Sequence, residues 1–215
     1  MLAPGRDCGH CPRLAAFRAD NRDAHPDWHN APVDSFGPAT ARLLIVGLAP
    51  GLRGANRTGR PFTGDFAGDL LYATLRRFGF ARGDYDKRPD DGLELIDCRI
   101  TNGVRCVPPE NKPIGAEIAA CRPFLAAEIE GLQRLEVILS LGTLAHATVL
   151  TTLGEKRSHW PFGHGASHRL PGGLRLADSY HCSRYNTNTG RLTEAMFHDV
   201  FDQLRSQLGP PEPGF

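Results

Sequence analysis

ARLLIVGLAPG, residues 41–51, decides the architecture. Leu43-Leu-Ile-Val46 is apolar at every position and stops at Gly47, the pattern of a short strand buried on both faces. Such a strand needs cover above and below, which an α/β protein supplies with helices. The chain then runs through a glycine-rich stretch, Gly47-Leu-Ala-Pro-Gly51 and Gly54-Ala-Asn-Arg-Thr-Gly-Arg-Pro-Phe-Thr-Gly-Asp65. Glycines there let backbone approach a ligand closely. Phe66, Leu70, Leu71, Leu75 and Phe78 follow at helical spacing and predict a helix over 65–78. Its N-terminus favours anions. The glycine spacing matches neither the Walker A loop nor the dinucleotide fingerprint.

Outward from this stretch, strands and helices alternate. A second strand is expected within 93–102, ending Ile100-Thr-Asn102, then a helix over 114–132 with Pro113 near its start. A third strand is expected over 135–142, followed by a helix from 143 to about 153. Residues 158–173 read as a Gly/His/Pro-rich loop, 174–180 as a fourth strand, and 191–208 as an amphipathic helix with Leu192, Met196, Val200 and Leu204 on one face. Four alternations predict a three-layer α/β/α domain over 41–208 with a central four-stranded parallel sheet. Sites in such sheets lie beyond the carboxyl ends of the strands, here Gly47, Asn102 and His181. Residues 1–40 read as an irregular N-terminal arm with a short helix over 13–23. Residues 209–215 read as a Pro-rich tail that frays.

Composition is ordinary for a globular chain: 40% hydrophobic, 23% charged and a formal net charge of +1 over 215 residues. That balance neither requires nor excludes a nucleic-acid partner, because a local basic patch can sit on a neutral protein. Lys87, Lys112 and Lys156 are the only lysines. The arginine excess suits bidentate phosphate contacts, and a GC-rich genome would produce the same bias. No apolar run reaches the roughly 18 residues of a membrane span. The start, MLAPGRDCGHC, has no apolar signal core, so a cytoplasmic protein is expected. Disulfides are disfavoured there, so six cysteines call for another explanation. Cys8-Gly-His-Cys11 is a CxxC bite, and Cys106 and Cys121 lie downstream. Four thiolates suit either a 4Fe–4S cluster or a tetrahedral zinc ion. A redox dithiol would sit on a βα turn, whereas this pair precedes any strand. Cys98 is expected in the core and Cys182 at the site.

Three segments together resemble family 5 uracil-DNA glycosylases, the UdgB type. GLAPG with NRTGRPFTGD resembles that family's first motif. Ile100-Thr-Asn-Gly-Val-Arg-Cys106-Val-Pro-Pro resembles its second-strand segment. His181-Cys-Ser-Arg-Tyr-Asn-Thr-Asn-Thr-Gly-Arg-Leu192 resembles its last motif, with Cys182 where many members carry Pro. Family 4 resembles GEAPG in the first motif, whose acid helps orient water; Leu48 and Ala49 stand here instead, which favours family 5.

The resemblance implies a monomeric, monofunctional DNA glycosylase. It would hydrolyse the N-glycosidic bond of uracil, and of other deaminated bases such as hypoxanthine, to leave an abasic site. Its partner would be double-stranded DNA, with single-stranded DNA a second candidate. Cys8, Cys11, Cys106 and Cys121 would hold a 4Fe–4S cluster. His181 would stabilise the departing base, and Phe62 would stack on it. Asn102 would pair with a base edge or hold water. Asp65 would stabilise charge on the sugar or orient water, unless it only caps the helix after it. The backbone of Gly47, Leu48, Ala49, Pro50 and Gly51, through its N–H groups at all but Pro50, and the Ser183 amide would line the flanking phosphates, and Arg184 and Tyr185 would fill the space the base leaves. The competing possibilities are a family 4 enzyme, a non-catalytic zinc-bearing nucleic-acid-binding module, and a phosphate-binding hydrolase of free nucleotides.

Overall fold

The computed structural model describes residues 2–210. Strand β1 (Leu43–Gly47) is buried at all five positions, as its unbroken apolar run demands. It pairs in parallel with β4 (Cys98–Asn102) on one side and β5 (Val137–Leu141) on the other. β7 (Arg175–Ser179) continues the parallel sheet beyond β5. A fifth strand, β6 (Ser167–Arg169), closes the β7 edge in antiparallel, giving the order β4-β1-β5-β7-β6. The expected four parallel strands are therefore present, but the sheet has five. β6 lies inside the segment read as a loop: its three residues are polar and largely exposed, so no apolar alternation marks it.

Side chains of β1 divide between two apolar layers. Leu43 and Ile45 face a cluster with Leu71 and Leu75 of α3 (Phe66–Arg77) and with Phe197, Phe201 and Leu204 of α7 (Glu194–Leu208). Leu44 and Val46 face the opposite cluster, with Leu125 of α4 (Gly115–Gly131) and Val149 and Leu150 of α5 (Thr143–Thr152). This is the three-layer α/β/α arrangement that 41–51 foretold.

The expected strand over 93–102 is two strands. β3 (Glu94–Leu95) pairs in antiparallel with β2 (Ala81–Arg82) as a separate hairpin, and β4 starts only at Cys98. Asp97 breaks the run with a left-handed backbone, φ 53°. Its carboxylate accepts from the Arg42 backbone N–H at 2.9 Å and from Arg42 Nε at 2.7 Å. The helix read over 191–208 starts at Glu194, capped by the Thr193 hydroxyl. A short helix missed by pattern, α6 (Arg184–Asn188), precedes it.

The arm's helix α1 (Pro12–Ala24) begins directly after Cys11 with Pro12 in its first turn. Phe36 and Ile100 exchange backbone hydrogen bonds at 2.9 and 2.8 Å, which lays the end of the arm along the β4 edge. Of the tail, residues 211–215 lie outside the described residues. Before them, Arg42 donates to the carbonyls of Leu208 and Pro210. No helix among the described residues is long and apolar enough to cross a membrane.

Candidate active site

Gly47 and Asn102 are register partners at the carboxyl ends of β1 and β4. Beyond them opens a cavity of about 330 Å³, lined by Leu48, Ala49, Pro50, Gly51, Phe62, Asp65, Asn102, His181, Ser183 and Arg184 among others. This is where a ligand belongs in a parallel α/β sheet. Gly47 permits it by lacking a side chain: a Cβ there would stand 2.5 Å from Asn102 Oδ1 and 2.7 Å from Phe62 Cζ. The glycine thus lets an amide and an aromatic ring meet over the strand end.

Asn102 is 3% exposed, and its Oδ1 has no hydrogen-bond partner in the protein. An unsatisfied buried acceptor costs on the order of 1–3 kcal/mol, so it marks a place where a ligand or water completes the bonding. Phe62 holds a left-handed backbone, φ 54°, and its ring lies 5.9 Å from the His181 imidazole, tilted by 31°. Backbone strain of this kind persists only where the surroundings over-determine it. Burial pushes His181 down to about 4, with no partner charge to offset it. The imidazole is therefore neutral near pH 7 and can present an N–H.

Asp65 serves both of its expected positions at once. It caps α3, accepting from the Gly68 amide at 3.2 Å, and it lines the cavity. Burial raises its pKa above the ordinary carboxyl value, against the lowering pull of the Gly68 and Ala67 amides. Ser183 caps α6, and Asn186 Nδ2 donates to the His181 carbonyl at 2.8 Å, fixing the loop that carries the imidazole. Arg184 lies over the Phe66 ring at 5.3 Å. Tyr185 is 72% exposed and stands outside the cavity lining.

Sequence reasoning missed Asn111, Phe66, Ala55 and Ala67 of the lining. Phe66 and Ala67 read only as helix positions. Asn111 reaches the cavity through two consecutive left-handed residues, Glu110 at φ 55° and Asn111 at φ 57°, which no pattern of polarity announces. Cys182, expected at the site, is instead fully buried in the main core. The apolar surroundings of a loop folding back on the sheet claim its small side chain. Cys98 is core, as expected.

Away from the cavity, Cys8, Cys11, Cys106 and Cys121 converge, as free thiols, in an apolar cluster with Leu14, Val104 and Phe124. Among the described residues, no group of three or more His, Cys, Asp or Glu is arranged to hold a metal ion. Burial pushes the Cys11 and Cys106 thiols up to about 11. Arg18, 5% exposed, donates from Nη1 to Cys106 Sγ at 3.4 Å and from Nη2 to the Cys8 carbonyl at 2.9 Å. Its Nε has no partner, and no carboxylate among the described residues pairs with it.

A family model described as the uracil DNA glycosylase superfamily matches residues 35–205. A type-5 uracil-DNA glycosylase of Thermus thermophilus is 43% identical over 208 residues, 94% of each chain. A type-5 uracil-DNA glycosylase of Mycobacterium tuberculosis is 41% identical over 210 residues, 94% of this chain and 78% of the relative. A type-4 uracil-DNA glycosylase of Thermotoga maritima is 39% identical, but over 110 residues, 51% of this chain and 49% of that one.

Proposed function

The chain belongs to the uracil-DNA glycosylase superfamily, and from that premise we propose that its cavity takes a uracil turned out of DNA and hydrolyses the N-glycosidic bond, leaving an abasic site for base excision repair. The observation that carries this reading is the pairing of an orphaned buried amide oxygen on Asn102 with a neutral His181 in one cavity at the sheet's carboxyl edge.

Each requirement of the reaction has a residue to meet it. Turning a base out of the stack costs a few kcal/mol, least at a mispair such as U·G. Stacking on Phe62 returns part of that cost. Asn102 Oδ1 can accept from a base N–H or hold the attacking water. As the bond breaks, negative charge gathers on the base. An N–H from His181 aimed at that charge is worth on the order of 3 kcal/mol, by analogy with an oxyanion donor. Asp65 offers a carboxylate toward the sugar, where positive charge develops. The backbone N–H groups of residues 47–49, of Gly51 and of Ser183 suit the flanking phosphates, and Arg184 and exposed Tyr185 stand ready to fill the vacated stack.

A type-5 rather than a type-4 enzyme is favoured on two grounds. Leu48 and Ala49 put no acid in the GLAPG part of the lining, where family 4 resembles GEAPG, and the type-5 relatives match nearly the whole chain. An apolar first motif also leaves the pocket tolerant of hypoxanthine and xanthine. Duplexes carrying uracil, hypoxanthine or xanthine test this directly: release of all three supports the type-5 reading, release of uracil alone supports type 4, and release of none rejects a glycosylase.

The same reading gives Cys8, Cys11, Cys106 and Cys121 to a 4Fe–4S cluster. Arg18 supports the fit. A buried guanidinium needs negative charge close by, and the carboxylate that acts on Arg18 is Asp7, which makes its ion pair with Arg22 instead. Thiolates bound to iron would bring negative charge directly against Arg18, whose Nη1 already points at Cys106 Sγ. When bound, the cluster would cross-link the arm to the segment after β4, a structural service. Brown protein with iron and acid-labile sulfide agrees with this; colourless protein with zinc contradicts it.

A further inference from the structure

The connection between β2 and β3 contributes no residue to the cavity lining, yet its side chains hold the backbone on both sides of Phe62. Tyr85 Oη donates to the Phe62 carbonyl at 3.2 Å and accepts from the Gly64 amide at 3.3 Å. One step earlier, Tyr72 Oη donates to the Pro61 carbonyl at 2.5 Å. Asp91 makes two hydrogen bonds of 2.8 Å with Arg60, both side chains buried. The Arg60 guanidinium lies over the rings of Phe36, Tyr72 and Tyr85 at 5.1–5.8 Å, and its Nε donates to Thr63 Oγ1 at 2.7 Å. From below, α3 presses close: a Cβ on Gly68 would stand 1.8 Å from the Phe62 carbonyl oxygen and 2.5 Å from Tyr85 Oη.

We infer that Tyr85 is a positioning residue for excision, clamping the left-handed backbone of Phe62 so that its ring meets the extruded base face to face. The left-handed conformation is unfavourable for a bulky L-residue. The Thr63 N–H on the Arg60 carbonyl at 3.2 Å closes the turn around it, and bonds from outside the turn complete the hold. Tyr85 supplies two of them to the two peptides that flank Thr63, one as donor and one as acceptor, through a single oxygen. Asp91 secures the other end of the same connection against Arg60. The clamp depends on Phe62 being the stacking residue, as proposed above.

Tyr85→Phe removes the hydroxyl and keeps the ring under Arg60. The expected result is a single-turnover uracil-excision rate lower by about tenfold, as small misplacements of a positioned group cost, with binding of abasic-product DNA and the melting temperature nearly unchanged. A double-mutant cycle separates positioning from general weakening. In a Phe62→Leu background, where the stack is gone, adding Tyr85→Phe should change the rate by less than twofold. An equal tenfold loss in both backgrounds overturns the clamp, as does an unaltered rate in Tyr85→Phe alone. An unaltered rate in Phe62→Leu alone overturns the stacking role itself and the clamp with it, and so is told apart from failure of the clamp.

Discussion

Burial alone holds the His181 imidazole neutral, and this has a consequence for stability as well as for chemistry. In the unfolded chain a histidine takes its proton near pH 6.5; in the fold this one waits until about 4. Between those values the unfolded state binds more protons, so His181 costs the folded protein stability as pH falls from 6.5 toward 4. His181→Asn removes that penalty. Its melting temperature should gain on the wild type as pH drops from 7 to 4.5, measured by calorimetry; a constant difference would mean the imidazole titrates normally. Gly47→Ala belongs to this scale too. The new methyl group would collide with Asn102 Oδ1 at 2.5 Å and Phe62 at 2.7 Å. Excision should fall by at least a hundredfold while product-DNA affinity falls far less. Asn102, His181, Phe62 and Asp65 could be found in the sequence because each stands at a strand end or in a motif. Tyr85 and Asp91 could not, because their partners are the Phe62 carbonyl, the Gly64 amide and the Arg60 guanidinium, all contributed by a segment distant in the chain.

Among elements, the break at Asp97 matters most. It ends the β2–β3 hairpin, starts β4 in register with β1, and meets Arg42 at the start of β1. Removing Asp97 takes from buried Arg42 its nearest carboxylate and leaves it Glu136 at 3.7 Å and the Leu208 and Pro210 carbonyls, and the buried hydrogen bonds lost cost about 1–3 kcal/mol. Asp97→Ala should therefore lower the unfolding free energy by that amount in urea titration, with the denaturant slope unchanged; a loss below 1 kcal/mol would show the pair to be dispensable. β1 and β5 were legible as apolar runs closed by glycines, whereas β4 and β7 carry Arg99, Thr101, Arg175 and Asp178 and were placed by their position between helical segments and by the motifs that follow them. The division of 93–102 was not legible, since Asp97 looks like any polar strand residue until its left-handed backbone is seen. α6 and β6 are too short and polar to leave a periodic trace.

At the scale of the molecule, two apolar layers stabilise the sheet independently of the third cluster, which joins α1 to the start of α4 around the four cysteines. Loss of a bound metal centre should thus loosen the arm and leave the sheet folded. Hydrogen exchange after chelation and oxidation should accelerate over residues 8–24 and 104–121, with the β1, β4 and β5 amides still protected. Global unfolding would instead make the cluster part of the main core. The sequence pointed to four ligands but left zinc open; the gathering of the four cysteines in one cluster with buried Arg18 against Cys106 Sγ is a three-dimensional fact that no spacing contains.

The cavity's chemistry is tested most directly by single-turnover release of uracil from a U·G duplex by the wild type, His181→Asn and Asn102→Ala, each with its folded content verified. A neutral donor and an orphaned acceptor acting on one base predict rapid release by the wild type and losses of about 10²–10³-fold in each variant. Wild-type rates in both variants, or no uracil released by the wild type, would contradict it.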